Sequence, residues 1–369
     1  MKKFAKMSLV AAVAVAGLTN VSASSLEDAV KNTEVSGKVY VEFLSNSNNV
    51  SSNTGTQGGT DFDFDVTFST KVNDLITSVI TLEADSAVGE DALTSDNAVG
   101  LDTIKFVYAK NNLTANFGKF SSSGPTMDGD KIEGLSVNYA AGMATLFAAY
   151  GINNATTYGD YAELAIMAPV GPVNFEAWYS VYSPDTASAG NNASSGADHG
   201  KTITVVASTE LEGFNLKARY ATTDYNTAGA KDGSTFRFDA STTVSNVTLA
   251  GTYVTTDKDG GRAAVTDDAA ANGWELSQLS LSDLTTTNDV SLWSVSATAP
   301  YNDVTYQVAY ASLEADTAND EATELRLRAT HAMSSNFTVM GTYSMMEEDN
   351  NGTEVADSDS TRIDFKYSF

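Results

Sequence analysis

The sequence predicts an all-β protein: a transmembrane antiparallel β-barrel of about 18 strands with short periplasmic turns and long extracellular loops. Three observations predict it. The last strand has one apolar and one charged face, a secretory signal sequence is followed by no apolar run long enough for a transmembrane helix, and short and long connections alternate along the chain. Backbone groups in lipid are satisfied only in helices or in closed sheets. A membrane protein with this sequence must therefore be a barrel.

The final strand, residues 360–369, gives the clearest pattern. Ile363 and the terminal Phe369 fall on one parity, whereas Arg362 and Lys366 fall on the other. An Arg or Lys that faces lipid at the bilayer midplane costs roughly 2–4 kcal/mol. In a membrane the two basic side chains must therefore face a watery lumen and the aromatic residues must face lipid. A soluble edge strand is the alternative for this segment alone.

The N-terminus resembles a cleavable export signal in every region. Residues 1–23 contain three lysines, an apolar run at 9–18 and a small-residue end at Ala23. An apolar run of this length cannot span a bilayer, which needs about 20 residues. We therefore expect a signal peptide at 1–23, a periplasmic lead-in at 24–34 and a barrel at 35–369.

The composition is strongly acidic. The chain has 47 acidic and 21 basic residues, so that loss of the three signal-peptide lysines leaves a mature charge of about −29. No nucleic acid is expected as a partner, because an acidic chain is a poor candidate for a binding mode that depends on neutralising phosphates. The absence of Cys excludes disulfides and thiolate metal sites.

The connections follow a regular order. Eight short turns alternate with nine long loops, which gives 18 strands and places both termini in the periplasm. The long loops include 121–133, 256–289 and 346–359. The stretch 256–289 could also contain a short helix or an extra hairpin, and the count would then be 20. A sandwich or propeller would not require this alternation, and no fixed-period repeat supports a propeller.

Two short segments resemble a known family. Residues 26–30 and 35–37 are similar to the mature N-terminus of the Campylobacter-type major outer membrane porins, and the terminal Phe369 resembles the signal that the barrel-insertion machinery reads. The resemblance implies a Gram-negative outer-membrane protein in contact with lipid and lipopolysaccharide, passive diffusion of small hydrophilic solutes and ions, and a homotrimer. It also implies a Ca²⁺ ion in the lumen, to which no ligand can be assigned in this sequence.

The expected inward parity of several strands is basic. The residues concerned are Lys217, Arg219, Arg237, Arg326, Arg328 and Arg362. In general porins the third loop narrows the channel, so the resemblance places its acids Asp128, Asp130 and Glu133 opposite this basic wall. The opposed charges would form a constriction that orients polar solutes. Equally open is a simpler interpretation, in which the arginines pair with the inward acids Glu324, Asp239 and Asp364.

The acidic composition predicts cation preference, because fixed negative charge at the mouths raises the local cation concentration. The alternatives are a substrate-specific channel and a surface adhesin or structural barrel, plugged by 256–289. A hydrolytic enzyme is not expected, since the two histidines, His199 and His331, fall on opposite sides of the membrane. The run 61–65 mimics an EF-hand opening but has Val66 where the loop requires Gly.

Overall fold

The computed structural model shows a closed antiparallel barrel of 18 strands. It describes residues 30–48, 55–86, 99–126, 131–154, 159–183, 199–225, 230–263, 265, 288–316 and 320–369. The strands are β1 Thr33–Asn48, β2 Gly55–Lys71, β3 Ile76–Ser86, β4 Gly100–Lys110, β5 Leu113–Ser121, β6 Lys131–Ala141, β7 Ala144–Asn154, β8 Gly159–Val170, β9 Val173–Ser183, β10 His199–Leu211, β11 Phe214–Tyr225, β12 Gly233–Val244, β13 Val247–Thr256, β14 Val290–Tyr301, β15 Val304–Ala315, β16 Asp320–Ser334, β17 Phe337–Asn350 and β18 Thr353–Ser368.

Each strand pairs with its sequence neighbours, and β18 also pairs with β1, which closes the sheet. The predicted fold is confirmed. The first strand begins at Thr33, two residues earlier than expected. In the described part of the chain, no helix is long and apolar enough to cross a membrane. The predicted signal peptide lies outside the described residues, and so does most of the stretch 256–289, in which a short helix or an extra hairpin was an alternative.

The two faces of the strands differ as the alternation predicts. On β8, Leu164 and Ile166 are 58% and 49% exposed, whereas their neighbour Glu163 is 1% exposed. Aromatic residues share the outer face, among them the exposed Tyr150, Tyr179, Tyr220, Tyr253, Tyr343 and Phe369. The outside of the barrel is thus apolar, and polar residues lie on its inner face.

Short turns join the strands on the side where the chain ends. The turn between β10 and β11 consists of Glu212 and Gly213, whose φ angles are 50° and 82°. Positive φ at both positions matches the twist of a two-residue hairpin. Asn111, Ser245 and Asn302 adopt positive φ in equivalent turns. These two-residue turns therefore fix the register of the neighbouring strands.

One predicted loop is wrong. The segment 346–359 is not a long loop, because β17 continues to Asn350 and β18 begins at Thr353. The connection consists of Asn351 and Gly352 alone, with φ angles of 50° and 74°. Asn-Gly is a strong signal for such a hairpin. The acidic residues of this segment therefore lie on a tall two-stranded extension at the long-loop end of the barrel.

The seam between β1 and β18 ends at Gly37. Its amide donates to the Phe369 carbonyl at 2.9 Å, and the Phe369 amide donates back to the Gly37 carbonyl at 3.0 Å. The Phe369 ring lies over Gly37, so that a Cβ at this position would overlap the Asp65 carbonyl oxygen and approach the ring Cζ atom at 2.7 Å. Only glycine leaves room for the terminal aromatic ring at this point.

Replacing Gly37 with Ala is expected to destabilise the barrel by about 1–3 kcal/mol, the usual cost of overpacking. The measurement is the urea concentration that unfolds the refolded protein in lipid. Gly341→Ala is the control, because a Cβ at Gly341 meets no atom within 4 Å. Equal stability of the two variants would contradict the tight fit at the seam.

Candidate functional site

The inner wall beside the seam carries an ionic network that joins the first strand to the last. The Arg362 guanidinium Nε lies 2.8 Å from Asp364 Oδ1 on β18 and 3.0 Å from Glu42 Oε2 on β1. Arg362 Nη2 donates to the Tyr40 hydroxyl at 2.7 Å, and that hydroxyl lies 2.8 Å from Glu42 Oε2. The Arg362 side chain is 35% exposed, whereas those of Glu42 and Asp364 are 8% and 3% exposed. The Arg362 guanidinium is therefore the part of the network that is most exposed to the lumen.

A second charged group lies on the first three strands. Lys38 Nζ lies 2.7 Å from Asp63 Oδ2 and 3.0 Å from Asp65 Oδ2. Carboxylate oxygens of Asp63, Asp65 and Glu83 approach within 4.8 Å of one another. Such oxygens are ligands that Ca²⁺ accepts. However, the Lys38 ammonium already supplies positive charge to two of the three carboxylates, so the cluster by itself does not indicate a bound cation.

On β12, Arg237 pairs with the acid two residues later on the same face. Arg237 Nη2 lies 2.8 Å from Asp239 Oδ1, which also accepts a hydrogen bond from the Thr252 hydroxyl at 2.8 Å. Lys217 lies opposite Asp239 in the strand register, and Arg219 lies opposite Arg237. A recess of about 530 Å³ opens beside Lys217 and Asp239. The other polar residues on the inner face of this recess carry hydroxyl, amide or, in one case, carboxylate groups. They are Asn174, Ser208, Glu210, Asn215, Ser241 and Thr252.

Arg326 and Arg328 are neighbours on the inner face of β16. Arg326 is 2% exposed, and its Nη2 donates to Gln307 Oε1 at 2.8 Å. Arg328 lies opposite Thr342 on β17, which in turn lies opposite Arg362 on β18. Three arginines are thus placed on one sector of the wall, strands β16–β18. Of the predicted acid partners, Asp239 and Asp364 form ion pairs with an arginine, and Glu324 is fully buried on the same face as Arg326.

The connection after β5 folds over the inner face of the barrel. Thr126 Oγ1 lies 2.7 Å from Ser180 Oγ on β9, and the Ser180 hydroxyl donates to Glu163 Oε1 on β8 at 2.8 Å. The connection leads from β5 to β6, so it reaches past β7 to make these contacts. In a closed ring of 18 strands, β8 and β9 lie nine strands from β17 and β18. This connection therefore lies across the lumen from the Arg362 sector.

The loop 121–133 contains the three acids predicted for the constriction, and the structure describes one of them. Asp128 and Asp130 lie outside the described residues. Glu133 lies on β6 on the same face as the exposed Leu135 and Tyr139, the face opposite the fully buried Ile132. It therefore points away from the lumen, and its predicted place at the constriction is wrong. The physical reason is that β6 already begins at Lys131, so strand alternation sets its direction.

The sequence reasoning missed an aromatic cluster on the inner face of β5–β9. Its buried members are Phe120, Ile132, Phe147, Ala149, Tyr161 and Trp178. The rings of Phe147 and Trp178 lie 5.4 Å apart, and Lys105 Nζ lies 5.8 Å from the centre of the Phe120 ring. All six are under 9% exposed, so this cluster packs the inner wall and does not offer a surface to solutes. The cluster could have been predicted from aromatic residues that fall on the inward parity of strands next to a loop.

The start of the predicted plug, residues 257–263, also turns inward. Ser234 donates its amide to the Gly261 carbonyl at 3.0 Å, and the Tyr225 hydroxyl donates to the Arg262 carbonyl at 2.6 Å. Ala263 and Val265 bury against Ala221 on the inner face of β11. Asp257 accepts the amides of residues 259 and 260, which holds the pKa of its carboxyl below the usual range. These contacts fasten the first turn of the loop to the barrel wall.

The two histidines lie at opposite ends of the barrel. His199 begins β10 at the long-loop end, whereas His331 lies near the short turn that ends β16. His331 Nδ1 lies 2.9 Å from the Asp303 carbonyl oxygen. The pair therefore cannot act together on one substrate, in agreement with the sequence prediction.

Solved structures share the fold. Pseudomonas aeruginosa OccK9 (OpdG) matches with a TM-score of 0.70 and 13% identity over 92% of this chain and 99% of its own. A BenF-like porin from Pseudomonas fluorescens matches with a TM-score of 0.69 and 12% identity, covering 92% and 99%. P. aeruginosa OpdK, solved with vanillate, matches with a TM-score of 0.65 and 10% identity, covering 91% and 98%.

Identities this low show the fold alone, and a comparison with curated proteins gave no match. A family model gives the evidence of family membership that the shared fold does not give. The model of the Gram-negative porins matches residues 8–351, which is most of the chain. Together with the closed barrel, this indicates an outer-membrane channel rather than an enzyme. The chain belongs to the Gram-negative porin family.

Proposed function

We propose that the protein is a passive diffusion channel for small hydrophilic solutes and ions. The observation that carries the proposal is the contrast between an apolar outer face and an inner face with accessible charges of both signs. The side chains of Arg362 and Lys38 are 35% and 37% exposed, and that of Asp239 is 24% exposed. Exposed charges keep a lumen hydrated and admit polar solutes.

We propose that the channel prefers cations and that acidic residues outside the strand wall cause this preference. Several inner cations of the described wall lie beside an acid, as Arg237 does with Asp239 and Arg362 with Asp364, so their fields partly cancel. The chain nevertheless carries a formal net charge of −26. Acids at the loops and mouths then raise the local cation concentration.

The test is single-channel conductance of the refolded protein in a planar bilayer under a salt gradient. Steady open steps with a cation-selective reversal potential support the proposal. An anion-selective reversal potential would contradict the proposed cation preference but would still support the proposed channel function. Silence from protein that has demonstrably inserted would contradict the channel and favour a plugged adhesin or structural barrel.

Replacing Asp128 and Asp130 with Asn is expected to move the reversal potential toward zero, because it removes two negative charges from the loop that the family resemblance places at the constriction. The control is the double variant Asp349→Asn and Glu354→Gln, which removes two exposed acids from the β17–β18 hairpin. Similar shifts in the two double variants would place the selective charge at the mouth and not in this connection.

A second candidate is a channel selective for organic anions, and the two partly exposed arginines of this sector, Arg328 on β16 and Arg362 on β18, favour it. Guanidinium groups bind carboxylates in a planar, bidentate geometry, and the structurally similar OpdK was solved with vanillate. Saturable block of the ion current by vanillate, and no block by the neutral vanillyl alcohol, would support this candidate. Equal effects of the two compounds would favour general diffusion.

Several further proposals come from the family resemblance. We propose that the protein is related to the Campylobacter-type porins, forms a homotrimer and contacts lipopolysaccharide. We also propose that the insertion machinery recognises Phe369 and that a Ca²⁺ ion binds in the lumen. The cluster of Asp63, Asp65 and Glu83 is the set of carboxylates in the described part of the chain that would hold such an ion. Conductance measured with and without a calcium chelator tests this last proposal.

A further inference from the structure

We propose that Glu163 is the anchor that fixes the connection after β5 against the barrel wall and thereby sets the open width of the channel. The inference rests on the proposed channel function and identifies a positioning residue for it. Glu163 touches no solute in this role. It acts through the segment 122–126, which it holds at one distance from the Arg362 sector across the lumen.

The anchor is a buried chain of three polar groups. Thr126 hydrogen-bonds to Ser180 at 2.7 Å, and Ser180 donates to the Glu163 carboxylate at 2.8 Å. Thr126 is 3% exposed, and Ser180 and Glu163 are each 1% exposed. A buried polar group that is left without its hydrogen-bond partner is costly. Displacing the segment would break this chain, so the docked position is strongly favoured.

Gly124 shows how closely the segment approaches the anchor. A Cβ at Gly124 would overlap the Glu163 carboxylate. The backbone of the connection therefore rests directly on this side chain. Ser122 and Thr126, on either side of Gly124, are also buried, so these three residues lie against the wall, whereas Ser123 between them is exposed.

The surroundings explain why the anchor has to be polar. Phe120 and Ile132, at the two ends of the connection, belong to the aromatic cluster that packs the same sector. Apolar packing of this kind is non-directional. The hydrogen bonds of Glu163 and Ser180 have a defined direction, so they select one position of the segment. One position of a constricting segment gives one open conductance level.

The experiment compares single-channel steps of the full-length protein and four variants: Gly124→Ala, Glu163→Ala, the double variant of these two, and Gly341→Ala as the control. Gly124→Ala pushes the segment off the wall into the lumen, so we expect smaller, scattered and flickering steps. Glu163→Ala releases the segment and should also scatter the steps. The double variant is expected to recover a narrower distribution, because the new methyl group fills the space that the carboxylate leaves.

Steps in Gly124→Ala that match those of the control would overturn the proposal. A double variant whose defect is the sum of the single defects would overturn it too, because independent effects add. Should Gly124→Ala fail to insert, Thr126→Val removes only the hydroxyl and keeps the shape, and uniform steps of unchanged size in that variant would overturn the anchor. A silent wild-type protein would instead contradict the channel function itself.

Discussion

Replacing Arg362 with Met is expected to destabilise the barrel by roughly 3 kcal/mol and to make the channel more cation-selective. The substitution leaves Glu42 and Asp364 as neighbouring carboxylates across the β1–β18 seam, with side chains only 8% and 3% exposed. Removing one partner of a buried ion pair leaves a charge without compensation, which costs about 3–5 kcal/mol. We take the lower end because the Arg362 side chain is 35% exposed to the lumen.

The measurements for Arg362→Met are urea unfolding in lipid and the reversal potential under a salt gradient. The control is the triple variant Arg362→Met, Glu42→Gln and Asp364→Asn, which removes the cation and both acids together. Replacing every partner of a buried charged group is close to neutral, so most of the lost stability should return. A triple variant as unstable as the single one would show that the arginine acts through packing and not through charge.

The strands themselves could be predicted because one physical requirement repeats along the chain. Each strand that separates lipid from water must alternate, and Leu164 beside Glu163 or Ile363 beside Arg362 shows that alternation directly. Turn residues such as Gly213 indicated where one strand ends and the next begins. The fold therefore followed from local patterns alone.

The hairpin at Asn351 and Gly352 was missed for a related reason. The ends of β17 and β18 around it are acidic, and their apolar–polar alternation is weak. Turn chemistry was the remaining signal, and the Asn-Gly pair carries it.

The site was predictable only in part. Strand parity placed Arg237, Arg326 and Arg362 on the inner face, but parity names no partner across the barrel. The bond between Arg362 and Glu42 joins residues at opposite ends of the chain, and it exists because the barrel closes. The contact between Thr126 and Ser180 depends in the same way on how a connection folds. Local sequence carries no record of such long-range contacts.

The second large effect concerns the outer face. Replacing Leu164 with Arg is expected to destabilise the barrel in lipid by roughly 2–4 kcal/mol, the cost of a basic side chain at the bilayer midplane. Leu164 lies at the middle of β8 and is 58% exposed on the apolar side. Leu211 is 59% exposed but ends β10 beside a short turn, so Leu211→Arg should cost only about 0–1 kcal/mol.

Equal exposure makes this pair a sharp test of depth, because water would solvate an arginine equally well at both positions. The free energy of unfolding is measured for the two variants in the same lipid vesicles, with Leu164→Ala and Leu211→Ala to account for the lost leucine. A large difference between the arginine variants requires that hydrocarbon surrounds Leu164 and that the interface surrounds Leu211. If both variants were as stable as their alanine controls, the apolar face would not meet the bilayer core at Leu164, and the orientation of the barrel in the membrane would have to be revised.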